Sequence, residues 1–226
     1  MHKISNREVL DVIKYSQNKV IIVEKAPSLE AVGGKAQHYI IDLETLEKEV
    51  ITKSAYLLKK FGSAYKEITE SISGVADCDA VILKSKEVFV MFPNGQCGLF
   101  DQDGKMLWTK VFSYNDKVVN SLAYDGEYLW CCCKDENSVI RYSTESFMLD
   151  LRIGNKEATT FYQPTFLSSD GESVYVVCSD QRLRRIDKNN LTVSDVTSSI
   201  PMLKRFYRFD GCSLISTLDG TYITEE

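Results

Sequence analysis

The chain has 226 residues, 44% hydrophobic and 11% aromatic, with only four prolines. That is enough apolar surface to offset chain entropy in one folded domain, and it excludes a disordered or collagen-like chain. A formal charge of −5 and a pI near 5.3 weigh against wholesale binding to nucleic acid or anionic lipid, since both reward positive charge.

The first twenty residues interrupt their apolar positions with His2, Lys3, Arg7, Glu8 and Asp11, so they lack the apolar core of a signal peptide. Apolar runs such as Tyr128 to Cys133 fall far short of the roughly 20 residues that span a bilayer. Seven cysteines, three of them consecutive, suit buried thiols in a reducing compartment better than a disulfide framework, because neighbours on a strand point to opposite faces. The expectation is a cytoplasmic protein with no membrane contact. No CxxC or CxxH spacing occurs and there are two histidines, so neither a metal nor another cofactor is expected.

Short runs rich in Val, Ile, Tyr, Phe, Trp and Cys, bounded by turn residues, read as strands: Lys19 to Val23, Glu87 to Phe92, Glu127 to Cys133 and Ser173 to Cys178. Asp-Gly pairs announce three strands, at Asp125-Gly126, Asp170-Gly171 and Asp210-Gly211, and such pairs between apolar strands signal hairpins. The anchors lie 45 and 40 residues apart, with weaker equivalents at Ser85-Lys86 and Gln17-Asn18. A second landmark follows each of four anchors, a pair of apolar or long residues ending in Asp42, Asp101, Ser143 or Asp187, at spacings of 59, 42 and 44.

A period of 40 to 45 residues with about four strands per unit is the signature of propeller blades, because a single blade cannot bury its own faces. The predicted fold class is all-β: a small β-propeller of about five four-stranded blades, at roughly 6–56, 72–117, 118–160, 161–203 and 204–226. The last unit stops too early to supply its own outer strand. The N-terminal segment, His2 to Ser5, is expected to pair with it and close the ring. The stretch from Ala123 to Ile153, with its DGEYLW strand followed by VIRYS, resembles a blade of the NHL or YVTN-like propeller group, and 168–196 repeats the pattern. The resemblance implies an architecture and no particular function. No Trp-Asp dipeptide marks a WD40 repeat.

The long first interval locates an insertion at Tyr56 to Ser71, where a short helix ending at Gly62 is possible and the charges favour an exposed loop. His38 reads as a turn or strand-entry residue, and Cys131 to Cys133, Trp108 and Trp130 read as packing between blades.

Two candidate sites emerge. Asp77 and Asp79 share a face under strand alternation and could serve as a carboxylate pair in a carbohydrate-active or sugar-binding propeller. A solvated turn preceding a strand accounts for both more simply. Against the anionic whole, residues 180–210 hold seven cations to four aspartates. Arg182, Arg184, Arg185, Lys204, Arg205, Tyr207 and Arg208 form a basic, aromatic stretch suited to an anionic partner, although alternation separates Arg184 from Arg185. The leading expectation is a non-catalytic module that binds another protein through this stretch, with a small-molecule or glycan ligand as the alternative and nucleic acid disfavoured.

Overall fold

The computed structural model describes residues 1–26, 36–74, 78–197 and 200–225. The chain opens with β1 (His2–Ser5). Sheet I follows, from β2 (Val9–Lys14), β3 (Lys19–Lys25), β4 (Ala36–Asp42) and β5 (Lys48–Val50). Helices α1 (Lys53–Phe61) and α2 (Tyr65–Ser71) lead into sheet II: β6 (Asp79–Ile82), β7 (Val88–Met91), β8 (Gln96–Phe100) and β9 (Met106–Val111). A small hairpin, β10 (Ser113–Tyr114) and β11 (Lys117–Val118), precedes sheet III: β12 (Asn120–Tyr124), β13 (Tyr128–Cys133), β14 (Ser138–Ser143) and β15 (Leu149–Gly154). Sheet IV is β16 (Pro164–Ser169), β17 (Ser173–Cys178), β18 (Leu183–Asp187) and β19 (Val193–Thr197). The chain ends with β20 (Leu203–Phe209), β21 (Cys212–Thr217) and β22 (Thr221–Glu225).

Each of the five sheets has four antiparallel strands, and the fifth runs β1-β22-β21-β20, so the N-terminal strand supplies its missing edge as the sequence predicts. The second strand of each repeat is rich in apolar residues because it is paired on both sides and buried on both faces. β7, β17 and β21 are buried at every residue, and β13 at every residue after Tyr128, whereas the outer strand β9 is almost wholly exposed. Alternation along β13 sends Cys131 and Cys133 into the core with sheet II, and Cys132 and Trp130 into the core with sheet IV. All seven cysteines are buried thiols outside any disulfide, and burial pushes Cys97 up to about 12. First strands share a second device, a one-residue bulge at the same place in β2, β12, β16 and β20.

Both sequence landmarks are turn caps. Asp42, Ser143 and Asp187 end the third strands of sheets I, III and IV and Asp101 follows that of sheet II, and the side-chain oxygen of each accepts two backbone N–H bonds from the turn that follows. Four residues on, Leu46, Phe147 and Leu191 take positive φ values of 60°, 53° and 60°. That backbone costs an L residue about 1 kcal/mol, and the burial of each apolar side chain against a neighbouring core cluster offsets it. Asp125 and Asp170 each accept two turn N–H bonds through Oδ1 and then do more. Asp125 Oδ2 accepts from Trp130 Nε1 at 2.9 Å, and Asp170 Oδ2 from Tyr175 Oη at 2.9 Å. The Asp-Gly anchor is therefore one end of a latch whose other end is the aromatic five residues later. In the last repeat Ile215 stands at that position, where no side-chain donor is available.

The chain forms two compact units, residues 1–60 with 201–226, and residues 61–200. In the first, sheets I and V pack through Val9, Val12, Val20, Ile22, Ile41, Cys212, Leu214 and Ile223. In the second, sheets II, III and IV pack in succession.

The insertion at 56–71 is not an exposed loop. It forms α1 and α2, with Tyr56, Leu57, Phe61, Ala64 and Ile68 buried. The intervals between Leu57, Phe61, Ala64 and Ile68 are three or four residues, a helical face that the intervening charges obscure. Gly62, at φ 76°, ends α1. His38 lies inside β4 and is buried, its ring 5.0 Å from that of Tyr56. Burial, and then the Lys53 charge, hold its pKa below the ordinary value.

Asp11 ties α1 to sheet I: its Oδ2 accepts from Tyr56 Oη at 2.7 Å and from Lys60 Nζ at 2.8 Å. Burial pushes the Asp11 carboxyl up, but the Lys60 charge, both hydrogen bonds and the Arg205 charge outweigh it and hold the pKa below the ordinary 3.8. A carboxylate depressed in the folded state stabilises that state above its unfolded pKa, and the contribution fades as pH falls through the folded value. Asp11→Asn is therefore expected to lower the unfolding free energy at pH 7, with the gap to wild type closing below about pH 4. Urea melts at stepped pH read this directly, and a gap constant down to pH 2 contradicts the assignment.

Candidate functional site

Within the 61–200 unit, a cleft of about 570 Å³ opens between sheets III and IV. It is lined by Ile153 at the end of β15, Thr159 and Thr160 of the connection into sheet IV, Arg182 and Arg184 before and within β18, and Val193 and Asp195 of β19.

Arg184 occupies a position that sheet III fills with an apolar side chain, and where sheets I and II hold Tyr39 and Gly98. It lies three residues before the turn cap Asp187, as Ile140 lies three before Ser143, and the two oppose Val176 and Cys131 respectively. Ile140 is fully buried between sheets II and III. Arg184 is buried nearly as well, with 13% of its side chain exposed. Its Nη2 donates to Thr159 O at 3.3 Å, and its Nε lies 3.0 Å from Asp195 Oδ1. That Nε–H is out of line for a hydrogen bond, so its contact with Asp195 is Coulombic. Asp195 is half exposed, which limits the pair to under about 1 kcal/mol. A guanidinium has five N–H donors. Most of those of Arg184 are unspent at the floor of an open cleft, and Arg182, half exposed and 3.6 Å from Asp180, adds a second cation at its mouth.

Arg182 and Arg184 are thus together, and Arg185 is apart from them. Alternation puts Arg185 on the opposite face of β18, where its Nε donates to Ser173 Oγ at 2.8 Å. Lys204, Arg205, Tyr207 and Arg208 lie on β20 in the other unit and serve sheet V. Tyr207 stacks on Phe209 at 6.5 Å, Arg208 Nη1 donates to Ser213 Oγ at 3.4 Å, and the charge of Arg205 acts on Asp11. Of the two candidate carboxylates, Asp77 lies outside the described residues. Asp79 begins β6, and its Oδ2 accepts the Leu122 N–H of the neighbouring first strand at 3.0 Å, a stitch between sheets II and III.

Thr159, Thr160, Val193 and Ile153 escape sequence reading, and Asp195 is visible only as one of four acids diluting the basic stretch. Three residues before the turn cap, the repeats hold Tyr39, Gly98, Ile140 and Arg184, so the one charge at this position is visible in the sequence once the caps are aligned. Among the described residues no group of His, Cys, Asp and Glu could hold a metal ion, and no helix is long and apolar enough to cross a membrane.

This architecture of five four-stranded antiparallel sheets is that of a five-bladed β-propeller. No family model matches the chain, and no curated protein does. Among solved structures, it is similar to the dihydro-heme d1 dehydrogenase NirN in complex with DHE, at 12% identity and a TM-score of 0.52, over 100% of this chain and 42% of that one. It is also similar to the computationally designed Ika4 protein, at 13% identity and a TM-score of 0.50, over 65% of this chain and 88% of that one. Glutaminyl cyclase of Myxococcus xanthus matches at 11% identity and a TM-score of 0.45, over 61% of this chain and 60% of that one. The chain thus spans less than two thirds of the NirN and glutaminyl cyclase chains, and identities this low carry the fold alone.

Proposed function

We propose that this propeller is a non-catalytic binding module that holds a protein partner through a carboxylate bound in the cleft between sheets III and IV. The observation that carries the reading is Arg184, a nearly buried guanidinium with unspent donors in a position where the preceding repeat buries isoleucine. A buried cation with few partners is costly to maintain for stability alone. A carboxylate entering the cleft would receive charge-assisted hydrogen bonds in a partly desolvated setting, the condition under which they are strongest. Ile153 and Val193 supply apolar flanks and Thr159 and Thr160 polar ones, the mixture typical of a recognition site.

The test is affinity capture with the wild-type chain, followed by titration of the purified partner against wild type, Arg184→Glu and Lys204→Glu. Charge reversal at Arg184 is expected to abolish binding, while Lys204→Glu, an exposed charge that does not line the cleft, leaves it within about twofold. Equal binding by Arg184→Glu and wild type sinks the proposal.

A further inference from the structure

The cleft between sheets III and IV has a counterpart between sheets II and III, and there the chain fills it with its own backbone. The hairpin β10–β11 lies against sheet III: Tyr114 Oη accepts from Arg152 Nη1 at 2.7 Å, and the Arg152 guanidinium stands 5.4 Å from the Tyr114 ring. Tyr142 Oη donates to Ser113 O at 3.3 Å, Asn115 Nδ2 donates to Glu136 Oε2 at 3.4 Å, and Phe112 stacks on Tyr142 at 4.1 Å. The register makes the two places comparable. Arg152 opposes Ile140 across β14 and β15, as Asp195 opposes Arg184 across β18 and β19. Where one seam has an apolar floor, a cationic wall and a hairpin in its connection, the next has a cationic floor, an acidic wall and a connection whose Thr159 and Thr160 line a cleft that stays open.

We infer that the open cleft takes an extended acidic peptide, one carboxylate side chain of which reaches Arg184 while its backbone runs along the edges of β15 and β19. This inference rests on the reading of the cleft as a carboxylate site and adds the class of its occupant. Charge favours an acidic segment, since Arg182 and Arg184 outweigh Asp195 among the lining residues. Backbone favours a peptide over a free acid: β15 and β19, which contribute Ile153, Val193 and Asp195, are the last strands of their sheets, each with one side unpaired in its sheet. Unpaired strand edges supply main-chain hydrogen bonds to an added segment, while pockets between them read its side chains. In the preceding seam the chain's own hairpin presents an aromatic ring to the wall residue Arg152.

The probes are fluorescein-labelled octapeptides carrying a central glutamate beside a tyrosine, the same peptides with glutamine, and unlabelled glutarate as competitor, read by fluorescence anisotropy on the full chain. Glutamate peptides are expected to bind, the glutamine forms at least about tenfold more weakly, and Arg184→Met about 100-fold more weakly, with millimolar glutarate failing to displace them. Displacement by glutarate at the affinity of the peptides overturns the peptide assignment and leaves the carboxylate cleft standing. If no peptide binds but Arg184→Glu still loses its captured partner, the extended acidic peptide is again overturned and the cleft stands. If no peptide binds and that variant keeps its partner, both fall.

Discussion

Trp130→Ala is expected to cost about 4 kcal/mol and to lower the thermal midpoint by roughly 12 °C. Two losses combine. Trp130 is fully buried between sheets III and IV, and removing it leaves a cavity among Cys132, Val139, Phe161 and Val176. The Asp125 carboxylate, with none of its side chain exposed, also loses the indole N–H that satisfies Oδ2. The Arg141 guanidinium, 5.3 Å from the Trp130 ring, loses a stacking surface as well. Trp130→Phe separates the contributions: it keeps most of the packing, deletes only the donor and should cost about 2 kcal/mol, the usual penalty for a buried acceptor left one bond short. Differential scanning calorimetry of the two variants decides the matter, and a cost below about 1 kcal/mol for alanine refutes the latch as a stabilising device.

Arg184→Ile is expected to separate stability from binding. Isoleucine is what the equivalent position holds between sheets II and III, and the partner left behind, Asp195, is half exposed and can be solvated by water. The Arg184–Asp195 pair contributes less than about 1 kcal/mol because Asp195 is half in water, and burying the added apolar surface returns about as much or more. The variant should therefore melt at or above the wild-type temperature. Its affinity for the acidic peptides should nonetheless fall about 100-fold, the loss expected for about two charge-assisted hydrogen bonds. A variant that is clearly destabilised shows instead that Arg184 is a structural residue, and the functional reading of the cleft fails with it.

The architecture was legible because it is repeated and because its markers act locally. Asp42, Asp101, Ser143 and Asp187 each bind N–H groups within four residues of themselves, so their chemistry and spacing are complete in the linear sequence. The continuous apolar runs of β7, β13 and β17 are equally local statements about strands covered on both faces. Counting the repeat left one sheet a strand short, which pointed to His2 to Ser5 as the missing edge. The two helices of the insertion were obscured because the sequence shows Lys59, Lys60 and Gly62 but not the surface that buries Phe61 and Ile68.

What the sequence by itself determined is the repeat, the turn caps and the all-β class, each encoded by residues near one another along the chain. Only the tertiary structure decided which members of the basic stretch lie together. Arg184 and Arg185 are adjacent in sequence, yet the pleat sends one into a cleft and the other to Ser173. Arg184 and Ile153 are far apart in sequence, yet two neighbouring sheets bring them into the same cleft. A site built between repeats depends on strand register and on how sheets pack, and no linear spacing records either.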